Sequence, residues 1–157
     1  VLKAEGLRDE ALASYHRALA IQQHYPEVQM ALADLYGQQD RPQRALATLQ
    51  ALADHYPPDA IPSEVSYREG LVLRRLSRHQ DAVTQLAAAI ARGPATPDMH
   101  YELAQTQILA GNRHAAAESV AAGLAVHPNH AGLSRLSGEL GNRQGTVAQV
   151  SEERVIR

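Results

Sequence analysis

The side chains that could support acid–base or metal chemistry are scattered along this chain of 157 residues. The closest of its eight histidines are His127 and His130, in the segment HPNH, and no third ligand for a zinc site lies near them in sequence. His100 and His114 fall within helical patterns, where packing or surface positions are the default. The chain has no cysteine, so thiolate ligands, a cysteine nucleophile and disulfides are excluded. We therefore expect neither a metal site nor a cofactor.

Acidic residues do not form a recognisable catalytic set either. The adjacent pairs Asp9–Glu10 and Glu152–Glu153 have no His or Lys placed by sequence to complete an acid–base set, and solvated helix faces explain them. There is no glycine-rich phosphate loop and no HExxH zinc motif. The sequence therefore predicts no catalytic residues and no enzymatic activity in this chain.

The densest basic cluster of the chain consists of four arginines, Arg68, Arg74, Arg75 and Arg78. Arginine can pair with a carboxylate through two parallel hydrogen bonds, so the cluster could bind an acidic partner. A solvated helix face is the more common explanation of such a run. The net charge of −2 gives no electrostatic reason to expect nucleic acid as a partner.

The elements that must position these side chains repeat along the chain. Four alanines recur at spacings of 34, 37 and 34 residues: Ala11, Ala45, Ala82 and Ala116. Four residues after each alanine comes a large or apolar side chain, which is the spacing of one helix face: Tyr15, Leu49, Leu86 and Val120. A second column holds only small residues and predicts close contact between helix backbones: Ala33, Gly70, Ala104 and Gly138. Three units close on a proline: Pro57, Pro94 and Pro128.

A period near 34 residues, two helices per period and these small-residue columns resemble the tetratricopeptide repeat. The residues that carry the resemblance are Leu32, Ala33, Tyr36, Ala45, Leu49 and Pro57 in one unit, and Leu103, Ala104, Gly111, Ala116, Val120 and Pro128 in another. Glu69 and Gln107 depart from the family pattern, which prefers an apolar residue and a tyrosine there. The resemblance covers about Val1 to Asn142 and implies an all-α fold, a right-handed α-solenoid of antiparallel helix pairs forming a superhelix.

The repeats predict one array over residues 1–157. Its parts are a truncated first repeat at 1–26, a second at 27–58, a third at 64–95, a fourth at 97–129, and a degenerate repeat or capping helices at 130–157. The chain begins inside a repeat, so we expect it to be a fragment. A proline-rich connection at 57–63 carries three extra residues, and we interpret it as slack in the loop rather than as a contact.

Helix ends follow from local signals. Gly6 is expected to end a truncated first helix, with its partner running from Leu7 to about Tyr25. Asp40 and Gln43 predict a capping box for a helix over 41–56, and Ser63 a cap for a helix over 64–76. Thr96 followed by Pro97 is a strong helix start, and Gly111-Asn112 is expected to be a tight turn.

The resemblance places function on the concave face, lined by the first helix of each repeat. Helical spacing puts eight residues on this predicted groove: Met30, Asp34, Tyr67, Leu71, Arg74, Tyr101, Gln105 and Ile108. Arg135 and Glu139 would extend it. Tyrosines, an arginine, an amide and apolar side chains suit a peptide or helix ligand. Alternatively, Tyr67 and Tyr101 simply pack between helices.

Two classes of function remain open. The first is a protein–protein interaction scaffold that binds a peptide or protein segment in the groove, as similar proteins do in bacterial multiprotein assemblies. The second is a regulatory or substrate-presenting arm of a larger enzyme, such as a transferase or hydroxylase. Nucleic acid is not expected as a partner, because the net charge is −2. Direct membrane insertion is not expected either, because no apolar run approaches the roughly 18 residues of a membrane span.

Self-association of the repeats is a further possibility.

The tail carries an apolar stripe that would cap the last repeat or fill the groove: Val147, Val150, Val155 and Ile156. The composition does not distinguish a cytoplasmic from a periplasmic location.

Overall fold

A computed structural model describes residues 2–141, with side chains from residue 6 onward. Within that range the chain forms eight helices and no strand. They are α1 (Leu2–Ile21), α2 (Pro26–Gln38), α3 (Pro42–Ala53), α4 (Ser63–Arg75), α5 (His79–Arg92), α6 (Pro97–Leu109), α7 (Arg113–Val126) and α8 (131–141). The predicted all-α fold is confirmed.

The chain divides into two compact units, Val1–Gly93 and Pro94–Arg157. The first contains α1 to α5 and the second contains α6 to α8. Each unit is described here by itself, and the expectation of one continuous array with the stated repeat boundaries stays a prediction.

Consecutive helices of the first unit pack against one another in chain order. Between α2 and α3 lies a buried cluster of Leu32, Ala33, Tyr36, Ala45 and Leu49, which Leu12, Tyr15 and Leu19 of α1 partly cover. Two smaller clusters continue the core between α3, α4 and α5. Each helix therefore buries its apolar face against its immediate neighbours in sequence, as in repeat proteins.

In the second unit, α6 and α7 form another helix pair. Ala104, Ala116 and Val120 are buried with three leucines of α8, Leu133, Leu136 and Leu140. α8 lies in the segment predicted to be a degenerate repeat or capping helices, and its leucines belong to the core of this unit. Which of the two it is stays a prediction. The tail from Thr146 to Arg157, with its four apolar residues, lies outside the described residues.

The small-residue columns mark the close approaches between helices. Ala45, Ala82 and Ala116 have no exposed surface. A Cβ added at Gly70 would lie 2.6 Å from Cγ of Leu86 and 3.2 Å from its backbone nitrogen. Gly138 is the exception, because a Cβ there would meet no described atom within 4 Å.

Three predictions for helix ends in the first unit are wrong: the end at Gly6, the capping box at Asp40 and the cap at Ser63. The first helix continues through Gly6, where a glycine costs only about 1 kcal/mol in a helix interior, and it ends at Ile21. The capping box is absent. α3 begins at Pro42 without a side-chain cap and ends at Ala53, while Asp40 adopts a left-handed conformation with φ of 55°. Its carboxylate instead accepts a hydrogen bond from Arg75 at 3.0 Å.

Ser63 does not cap α4 either, because it is the first residue of that helix and Pro62 occupies the cap position. Its hydroxyl donates to the carbonyl oxygen of Ala89 on α5 at 2.7 Å. The side chain therefore joins two helices. A cap prediction from sequence counts only neighbours along the chain, so it missed this partner 26 residues away.

Two signals in the second unit are confirmed. The hydroxyl of Thr96 accepts a hydrogen bond from the amide of Met99 at 3.3 Å, and Pro97 is the first helical residue. Gly111 has a φ of +83°, which favours glycine, and the Asn112 side chain then caps α7 by accepting from the amide of Ala115 at 3.1 Å.

The proline-rich connection at 57–63 is anchored to the chain rather than slack. Arg92 of α5 donates to the carbonyl oxygen of Pro58 at 2.9 Å. Ile61 packs against the cluster of Leu52, Ala53 and Val65. Ile61 therefore adds to the core of the first unit, while residues 57–60 are exposed.

Candidate ligand-binding faces

Five of the predicted groove residues lie on α2 and α4 of the first unit, and we call them the α2/α4 face: Met30, Asp34, Tyr67, Leu71 and Arg74. Asp34 is exposed, whereas the other four are half-buried. Met30 packs against the cluster of Leu52, Ala53 and Val65, so part of its surface belongs to the core. Tyr67, Leu71 and Arg74 follow the spacing of one helical face.

A salt bridge crosses this face from α4 to α2. Arg68 donates hydrogen bonds to Asp34 and, through Nε at 2.6 Å, to Glu64 one turn away. Burial acts to lower the pKa of Arg68, but the hydrogen bonds and charges of Asp34 and Glu64 outweigh it, so its pKa is raised. Asp34 is therefore part of an ion pair rather than an isolated carboxylate.

The remaining arginines of the sequence cluster are also engaged within the chain. Arg75 donates to Asp40 and to the carbonyl oxygen of Gly37, at 3.0 and 2.9 Å. Arg78 pairs with Asp81, with nitrogen and oxygen 2.6 Å apart. Together with Arg68, three of the four arginines thus have acidic partners in the chain itself. This removes the main argument for an acidic ligand.

Buried polar side chains of α4 interact with Arg92 of α5, and the sequence interpretation missed them. Glu69 is 4% exposed, Ser66 is fully buried, and Ser66 accepts a hydrogen bond from Arg92 at 2.9 Å. Burial raises the pKa of Glu69, the charge of Asp54 raises it further, and the charge of Arg92 opposes both. Glu69 thus occupies the core position where the repeat pattern prefers an apolar side chain.

A signal in the sequence could have found several of these contacts. Arg68 and Asp34 are 34 residues apart, as are Arg92 and Pro58, while Arg75 and Asp40 are 35 apart. These separations equal about one repeat. An arginine one period after an acid therefore indicates a bridge between helices in neighbouring repeats.

The other three predicted groove residues lie on α6, and we call them the α6 face: Tyr101, Gln105 and Ile108. All three are half-buried. The Gln105 amide donates to the Tyr101 hydroxyl at 2.6 Å, and Ile108 packs against the core of the second unit. Arg135 and Glu139 of α8 are exposed.

Tyr101 is also held by the start of α8. A Cβ added at Gly132 would lie 3.3 Å from the Tyr101 ring, and the ring meets His130 edge-on with centroids 6.3 Å apart. The packing role that was the alternative for Tyr101 therefore accounts for part of its surface. Its hydroxyl carries the contact to Gln105, which fixes the direction of both polar groups.

Two histidines of this unit, His100 and His130, serve packing and capping. His100 is 8% exposed, and burial, then the nearby charge of His127, lower its pKa, against a backbone hydrogen bond with Ser119. Within residues 2–141, no three His or acidic side chains are placed to hold a metal ion. Gln107, the other departure from the repeat pattern, is buried and accepts from the Ser119 hydroxyl at 2.8 Å.

Comparison with known proteins agrees with this architecture. Two family models, both described as tetratricopeptide repeat, match residues 2–61 and 67–112. A search of curated protein sequences found no match. In the part of the chain that the structure describes, no helix has the length and apolar character needed to cross a membrane.

Several solved structures share the fold. A crystal structure of MamA has a TM-score of 0.81 and 20% identity, and the alignment covers 91% of this chain and 82% of that one. MamA from Desulfovibrio magneticus RS-1 gives 0.79 and 19%, with 97% and 84% covered. YrrB, whose structure is described as a tetratricopeptide-repeat protein with an unusual peptide-binding site, gives 0.71 and 16%, with 86% and 68% covered.

Proposed function

Because this chain belongs to the tetratricopeptide-repeat family, we propose that it is an interaction scaffold. The first helix of each repeat, here called a first-type helix, binds a peptide or protein segment, and the second helix of each repeat is called a second-type helix. The family assignment supports protein binding in general. The particular ligand faces, α2/α4 in the first unit and α6 in the second, are the proposal. The chain itself performs no chemistry in this proposal, and its partner is a polypeptide rather than a nucleic acid.

The observation that carries the proposal is the chemistry of the α2/α4 face. Tyr67 and Leu71 are half-buried and one helical turn apart, beside an ion pair that the chain has already formed between Arg68 and Asp34. Tyrosine is among the residues that contribute most at protein interfaces, because its ring covers a large area at little entropic cost. An apolar anchor beside pre-oriented polar groups suits a peptide side chain followed by backbone hydrogen bonds.

The α6 face offers a second, smaller set of the same kind. Its polar groups are oriented by the hydrogen bond from Gln105 to Tyr101, and Ile108 supplies apolar surface. YrrB, with the same fold, is described as having a peptide-binding site. That description supports a peptide as the ligand class here, and self-association of the chain stays a separate prediction.

The experiment is a selection of peptides from a displayed random library on the intact chain, followed by affinity measurement with variants. We expect Tyr67→Ala with Leu71→Ala to weaken binding about tenfold, which corresponds to about 1.4 kcal/mol. The matched control, Gln43→Ala with Gln50→Ala, changes two exposed residues of the second-type helix α3. Equal loss in both variants, or none in the first, would contradict this face.

A further inference from the structure

The three helices of the second unit meet at Gly123. A Cβ added there would lie 2.8 Å from Cβ of His100 on α6 and 2.7 Å from Cδ1 of Leu133 on α8. Leu133 has no exposed surface and His100 has 8%. Gly123 of α7 therefore lies close to both neighbouring helices, with the buried His100 of α6 and the buried Leu133 of α8 beside it.

His100 is poorly prepared to carry a charge at that junction. Its Nδ1 is buried and has no hydrogen-bond partner among the described residues, and the same holds for Nε2 of His127. Protonating Nδ1 would create a buried donor with no acceptor, which is costly. The lowered pKa of His100 has the same cause, burial, and the charge of His127 adds to it.

A second histidine holds the start of α8. Nδ1 of His130 accepts a hydrogen bond from the amide of Leu133 at 3.2 Å, which is the contact of a helix cap. An imidazole nitrogen accepts only while it carries no proton, so this bond requires neutral His130 with its proton on Nε2. Nε2 lies 3.4 Å from Oδ1 of Asp98, so a proton on Nε2 faces a carboxylate oxygen.

The other ionisable groups of these helices give little compensation. Asp98 is the acid next to His130, and its side chain is 76% exposed, so solvent weakens its pull on a charged imidazole. His114 and Glu118 on α7 pair with each other at 3.6 Å and are exposed. Arg135 and Glu139 on α8 are exposed as well, while Glu102 on α6 is half-buried and has contacts of its own.

We propose that this corner is an acid-sensitive joint, in which protonation of His100 and His130 releases α8 from α6 and α7. Release would uncover Leu133, Leu136 and Leu140 and would remove His130 and Gly132 from Tyr101. The joint goes beyond peptide binding. It makes the second unit respond to a mildly acidic environment.

The direction of the effect follows from proton linkage. A histidine whose pKa is lowered on folding binds its proton more readily in the released state, so stability is full above its ordinary pKa of about 6.5. It falls as the pH drops through that value toward the folded pKa.

The test is amide hydrogen exchange of the intact chain at pH 7.5 and 5.5, corrected for intrinsic exchange rates. We expect the opening equilibrium at Leu133, Leu136 and Leu140 to rise severalfold at pH 5.5, because burial lowers the pKa of His100 in the folded chain. The variant His100→Gln with His130→Asn keeps a side-chain donor and the cap acceptor without titrating, and it should abolish the rise. His114→Gln on the exposed side of α7 is the control and should leave it intact.

Unchanged protection of α8 in the native chain would overturn the proposal, and so would a rise that persists in the double variant. Should that variant fold poorly, nitrogen-15 spectra of the histidine rings in the native chain decide instead. They should show His100 titrating below about 6.5 and His130 carrying its proton on Nε2 at neutral pH. An ordinary or raised pKa for His100 would refute the joint.

Discussion

Single side chains in this protein show how a repeat tolerates departures from its pattern. Glu69 and Gln107 both replace residues that the repeat prefers, and both are buried. Gln107 is satisfied by the Ser119 hydroxyl, whereas Glu69 lies where burial and Asp54 disfavour its charge. The cost of the two departures is therefore unequal.

We expect Glu69→Gln to stabilise the protein, because it removes a carboxylate whose ionisation burial opposes. A raised pKa means that the native chain loses stability as the pH rises from the ordinary glutamate pKa of 4.5 through the folded value. The gain should therefore be large at pH 8 and nearly absent at pH 4, in thermal unfolding. Glu139→Gln, at an exposed position, should show no such pH dependence.

Glycine substitutions test the close approaches at single positions. Gly70→Ala would place its methyl against Leu86, including that residue's backbone nitrogen, so we expect a net loss of about 1 to 2 kcal/mol in urea unfolding. Gly138→Ala has no described neighbour to displace and should gain up to about 1 kcal/mol in helix propensity. If both variants were equally destabilised, the close approach at Gly70 would not be what matters.

At the scale of helices, the sequence predicts what depends on neighbours along the chain. The cap at Thr96 and the turn at Gly111 were predictable because each rests on residues a few positions apart, and the alanine column was predictable from the repeat period. The partner of Ser63 was not, since it lies 26 residues away and at no repeat spacing, whereas the partner of Asp40, 35 residues away, follows the repeat period. A side chain that can cap a helix can also bridge two helices, and only tertiary packing decides between them.

The start of α6 provides a direct test at this scale. Thr96→Ala removes the acceptor for the amide of Met99, so we expect a loss of about 1 kcal/mol in the stability of the second unit. Thr96→Ser keeps a hydroxyl and should retain most of the native stability. Comparable losses in both variants would show that the hydroxyl is not the stabilising group.

For the whole molecule, the fold shows that arginines which sequence alone left open to a ligand form ion pairs within the chain. The arginine cluster was open to an acidic ligand from sequence, yet Arg68, Arg75 and Arg78 pair with acids of the chain. The uncharged members of the candidate faces are all half-buried: Met30, Tyr67, Leu71, Tyr101, Gln105 and Ile108. Sequence spacing placed these residues on first-type helices but could not show how much of each the core takes up.

The most direct test of the proposed function locates a bound peptide without mutating the chain. A peptide selected from the library would be titrated into nitrogen-15-labelled protein, and the shifted amide signals assigned to helices. The account predicts that the largest shifts fall on α2 and α4 around Asp34 and Leu71, or on α6 around Gln105. Shifts confined to the exposed side of α3, α5 and α7, or to the 57–63 connection, would contradict it.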